Sequence, residues 1–62
     1  MDATDVLRKK FRDRMNDIAD AVSTGTCRSY EEYQRLCGVI EGLAHAERDL
    51  LDLKETMERN DD

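Results

Sequence analysis

The sequence has 62 residues, of which 40% are charged, with no proline, three glycines, two cysteines and a formal net charge of −5 at pH 7. A chain this short holds one small domain at most and buries a smaller share of its surface than a typical domain; disulfides, metals or association often complete such folds. The acidic balance speaks against free nucleic acid as the main partner, because phosphate contacts need a basic surface, and no apolar run approaches the roughly 20 residues of a membrane span.

The charge is unevenly spread. Residues 1–28 hold six Arg/Lys and five Asp/Glu, while residues 29–62 hold four Arg/Lys and ten Asp/Glu, so the second half is strongly acidic. Abundant Glu, Asp, Arg, Leu and Ala favour long helices and coiled-coil packing. The opening "MDATDVLRKK" lacks the basic-then-apolar order of a signal peptide. The expectation is therefore a soluble protein, not secreted by the standard route and not in a membrane, with Cys27 and Cys37 as free thiols in a reducing compartment.

The first predicted helix covers residues 5–22, with Thr4 as its N-cap and Asp5 in the first turn to suit the helix dipole. Leu7, Phe11, Met15, Ile18 and Val22 recur at helical spacing and form one narrow apolar stripe. Around Phe11 lies the only basic cluster, Arg8, Lys9, Lys10, Arg12 and Arg14. It reads as a solvated helix face, or as a contact for an acidic protein or nucleic acid, including the acidic end of a neighbouring copy.

"STGTCRS", residues 23–29, breaks the pattern. Gly25 suits a left-handed helix end. Ser29 and Glu32 form a capping box, in which the hydroxyl caps one amide and the carboxylate reaches back to another.

The second predicted helix covers residues 30–58. A short turn favours an antiparallel hairpin, so the fold class is all-α: two antiparallel helices, the second longer, with no strand. Folding back at the turn pairs Ile18 with Tyr33, Met15 with Leu36 and Cys37, Phe11 with Ile40, and Leu7 with Leu43 and Ala44. On this register Leu50, Leu51, Leu53 and Met57 find no partner in the same chain. Gly38, Gly42 and Ala46 form a smooth strip along the helix edge. Each glycine costs roughly 1 kcal/mol against alanine in a helix interior, and close approach of another helix is a reason to keep them. The alternatives are a slight bend, or room for Phe11. The candidate interface is thus Gly38, Gly42, Ala46, Leu50, Leu51, Leu53 and Met57, assembled with another copy or onto a larger protein.

Little in the chain carries chemistry. Cys27 and Cys37 are expected too far apart for a disulfide, and with His45 they lack the short ligand spacings of zinc sites. Glu31, Glu32, Glu41, Glu47 and Asp49 have no enclosing pocket of the kind that shifts a carboxylate pKa for catalysis. No enzyme activity, cofactor or metal is expected.

"YEEYQRLCGVIEGLAHAERDLLDL", preceded by "LRKKFRDRMNDIAD", resembles small open reading frames of tailed bacteriophages over about residues 5–55. The resemblance is one of length and pattern and carries no functional residues across. It implies a small helical accessory, encoded near genes for head, portal or tail parts, acting in the virion or the host cytoplasm. Its partners would be itself, a larger phage structural protein or, as an acidic inhibitor or decoy, a host protein.

Overall fold

The computed structural model describes residues 2–60. Two α-helices account for nearly all of them: α1, Ala3–Ser23, and α2, Tyr30–Arg59. They pack side by side as an antiparallel hairpin measuring 52 × 19 × 11 Å, and the described residues contain no strand. The two-helix architecture with the longer second helix is as the sequence predicts.

The helix ends follow from local chemistry. Asp2, not Thr4, caps α1: its carboxylate accepts the Asp5 amide at 3.0 Å. Thr4 instead lies inside the first turn and donates its hydroxyl to the same carboxylate. Asp2 is the better placed acceptor, so α1 starts earlier than the apolar periodicity implies. At the other end Thr26 N–H donates to Ala21 O at 3.2 Å and Gly25 N–H to Val22 O at 3.3 Å. With Gly25 at φ +75°, this is a Schellman closure, which needs a residue without a Cβ penalty. α2 begins with the Glu32 amide donating to Ser29 Oγ at 3.1 Å. The Glu32 carboxylate also reaches back, but it accepts the amide of Arg28, one position upstream of the expected partner.

The register differs from a simple fold-back. Arg12 meets Glu47, Asp5 meets Lys54, and Ile18 lies in one groove with Val39 and Leu43. Every contact is displaced along α2 relative to the expected pairing. Side-chain direction accounts for part of the shift, about one position on each helix. Side chains tilt towards the N-terminus of their own helix, so in an antiparallel hairpin those of α1 lean away from the turn and those of α2 lean towards it. Tips that meet therefore belong to backbone positions farther along α2 than level pairing suggests.

This shift corrects the fate of the α2 end. Leu50 is covered by α1 and, at 8% exposure, is the most buried apolar residue described. The seam on α2 runs Leu36, Ile40, Leu43, Glu47, Leu50, Lys54, alternating steps of four and three, and all of these residues are buried or half-buried. On α1 the matching row is Phe11, Met15, Ile18 and Val22, all half-buried. Alternating steps of this kind are the heptad spacing of coiled coils. Leu7, Tyr33 and Ala44, expected in the pairing between the helices, are exposed, because the heptad line passes to one side of them.

Candidate interaction surface

Two polar ties join the helices, one midway along α1 and one at the end away from the turn. Arg12 donates twice to Glu47, from Nε to Oε2 at 2.6 Å and from its Nη2 to Oε1 at 3.0 Å. Arg8 Nε stands 3.8 Å from the same carboxylate. Glu47 occupies a seam position and is only 8% exposed, so a fork of donors satisfies a carboxylate that would otherwise be costly to desolvate. Nearer the open end, Lys54 bonds Asp5. That bond holds the Asp5 carboxyl below and the Lys54 ammonium above their ordinary ranges.

These ties divide the basic cluster. Arg8 and Arg12 face Glu47, Lys9 pairs with Asp13 at 2.9 Å, and Lys10 and Arg14 are exposed on the surface of α1. The five residues therefore do not form one basic patch.

The expected interface residues also separate. Leu50 belongs to the seam. Leu51, 37% exposed, lines a shallow groove with Ala44, Glu47, Arg48 and Asp52 on one flank of α2. At about 100° per residue, Ala46 and Leu53 lie on the opposite flank, about a quarter-turn from the seam, Gly42 lies about a third of a turn from it, and Gly38 falls near the far side of the helix. Met57 continues the seam line where α1 has run out and is 53% exposed, as is Leu53.

The second flank carries the extended surface. A Cβ built on Gly38 or Gly42 meets nothing within 4 Å, so neither glycine makes room for Phe11 or for any other part of the hairpin. Val39, 39% exposed, was missing from the expected set. It adjoins Gly42 and lines a groove with Arg14, Asp17, Ile18 and Leu43. Leu7, 41% exposed, lies one heptad before Arg14 and shares that flank of α1. The signal for this row was present in the sequence as a second heptad line, Val39–Gly42–Ala46–Asp49–Leu53, beside the first.

The chain matches no protein-family model, no curated protein and no solved structure.

The remaining candidates for chemistry are dispersed. Cys27 and Cys37 are both half-buried and unbonded, and Tyr33, beside Cys37, has its phenol pushed above the ordinary range by a hydrogen bond with that thiol. His45 is 73% exposed in its side chain and stands 3.8 Å from Glu41. Among the described residues no group of three or more His, Cys, Asp or Glu side chains is placed to hold a metal ion, and no helix is long and apolar enough to cross a membrane.

Proposed function

We propose that this chain is a non-enzymatic helical module for protein–protein interaction, docking through the α2 flank that carries Val39, Gly42 and Leu53. The observation that supports this is the open, partly apolar second heptad line. It runs beside a core in which only Leu50 and Glu47, among the described residues, fall below a tenth exposed. A helix with two apolar lines a quarter-turn apart suits a bundle of more than two helices. The resemblance of the sequence to small phage proteins supports reading the module as a minor virion or assembly component at a capsid, portal or tail surface.

The test is quantitative mass spectrometry of purified particles, with wild type and Leu53→Asp compared. Wild type should be present at a fixed copy number, and the variant should be lost from particles while keeping its helix content. Absence from particles, with recovery on a basic host protein instead, would favour an acidic inhibitor. The ten Asp/Glu in residues 29–62 are the feature that supports this second reading. Salt-sensitive retention on DNA or RNA would point away from both.

A further inference from the structure

We infer that the occupant of this flank is a second copy of the chain, related by a two-fold axis parallel to the helices, so that α1 of each hairpin lies against α2 of the other. This rests on the reading of the flank as a docking surface and names the partner.

The hairpin is a single layer, 11 Å at its thinnest, about one helix diameter, whereas a hydrophobic core sits between two layers. It exposes 5042 Å², and a compact monomer of 7.2 kDa exposes about 4,100 Å². The difference, about 900 Å², matches the roughly 800 Å² that each partner buries in a standard interface.

One face of that layer is complementary to itself, as a two-fold contact requires. Leu7, Arg14 and Ala21 recur every seven residues along α1, and Val39, Ala46 and Leu53 along α2. Both rows lie within about a quarter-turn of the seam, on the side marked by the groove that Arg14 and Val39 share. An axis parallel to the helices sets each row on the mate's other row. It moves nothing along the length of the molecule. The register fixed by Arg12–Glu47 and Asp5–Lys54 therefore also decides which residues meet between copies.

At the open end that register brings Leu7 to the mate's Leu53, and towards the turn it brings Ala21 to the mate's Val39. Between these apolar ends, large meets small. Arg14 lies over Ala46, and Asp17 over Gly42, where the hairpin itself leaves open space. Lys10 comes to the mate's Asp49. These two have opposite signs and are exposed, and none of the ion pairs among the described residues involves either. Nowhere along the two rows does a charge meet its like. Two hairpins related this way make a four-helix bundle whose neighbouring helices are all antiparallel, with Ile18 and Leu43 closed over in its core.

The test is sedimentation equilibrium and native mass spectrometry of the full chain, with circular dichroism in parallel. Wild type should be a dimer. Lys10→Glu or Asp49→Lys alone should weaken it about tenfold or more, ~1.4 kcal/mol per tenfold, shared between two symmetric contacts. Mixing the two variants should give a heterodimer in excess over either homodimer, because opposite charges then face each other at both contacts. Should either variant lose helix content, its recovery in the mixture still supports the pairing. A spin label on Cys27, with Cys37→Ser, reports the axis. Turns at the same end hold the labels within about half the molecule's 52 Å length. A dimer whose labels stand nearly that full length apart, a dimer indifferent to both charge reversals, or a trimer would overturn this geometry. A monomeric wild type that binds a different protein, with that binding lost in Leu53→Asp, would overturn the second copy and leave the docking surface standing.

Discussion

Arg12 and Glu47 form the tie most open to measurement, and the two ends of the bond should respond unequally to truncation. Arg12→Ala leaves the carboxylate of Glu47, whose side chain is 11% exposed, with only Arg8, 3.8 Å away. Two charge-assisted hydrogen bonds are lost, each worth about 1.5–3 kcal/mol when fully sheltered. The Arg12 side chain is 57% exposed, which weakens the pair through solvent screening, and Arg8 can move in. A net loss of about 1–2 kcal/mol results. For a domain of this size, about 1 kcal/mol corresponds to roughly 4–8 °C in Tm. Glu47→Leu behaves differently, because it places an apolar residue in an apolar seam and leaves an arginine that already reaches water. That variant should be neutral or more stable than wild type. Thermal and urea melts followed by far-UV circular dichroism, at one fixed protein concentration, measure both. A double-mutant cycle isolates the coupling. If Glu47→Leu proved the more damaging change, or both variants melted like wild type, the tie would not hold the hairpin together as argued.

Leu50→Asp should unfold the hairpin itself, by about 2–5 kcal/mol in the range of large core losses, seen as lost helix content in the monomer and not merely as lost association. Gly25→Ala should cost about 1–2 kcal/mol because φ is +75° there, read from the same melts. Ser29→Ala should cost about 1 kcal/mol through the lost cap on Glu32. The Asp5–Lys54 bond should set two limbs of the pH–stability curve. The Asp5 carboxyl is lowered from 3.8, so its contribution is present above that value and lost as pH falls through the folded pKa; Lys54 is raised from 10.5, so its contribution is present below that value and lost as pH rises through the folded pKa. Asp5→Asn should flatten the alkaline limb and reduce the acid one, leaving the acid contribution of Asp2, whose carboxyl is lowered by the Thr4 hydroxyl; unchanged limbs would refute the assignment.

The turn was the most legible part of the sequence, because Gly25, Ser29 and Glu32 act on their own neighbours and need no knowledge of the partner helix. The α1 start was misplaced because apolar spacing says nothing about a cap that precedes the first apolar residue. The seam was only half legible. A stripe traced through apolar residues alone skips Glu47 and Lys54, and once those are skipped Leu50 is left with no place. Both charges sit on the heptad line, each opposite a residue of contrary sign on α1. Reading alternating steps of four and three regardless of polarity would have found them. The interface set failed in a different way. Leu50, Leu51 and Leu53 are adjacent in sequence but point to three sides of one helix, and only the position of α1 decides which side is covered.

The spacing of the charged ties along the seam also sets an order of events. The Schellman closure joins groups that are neighbours in sequence, whereas Arg12 and Glu47 are 35 positions apart and Asp5 and Lys54 are 49 apart. Closing larger loops costs more chain entropy, so the hairpin forms as a zipper from the turn outward, at the fast end of folding rates for topologies of local contacts. The ties engage last and release first. Salt weakens the more exposed outer tie, Asp5–Lys54, so raised ionic strength should loosen the first turn of α1 together with the last turns of α2, and hydrogen exchange should speed up there before the turn region opens.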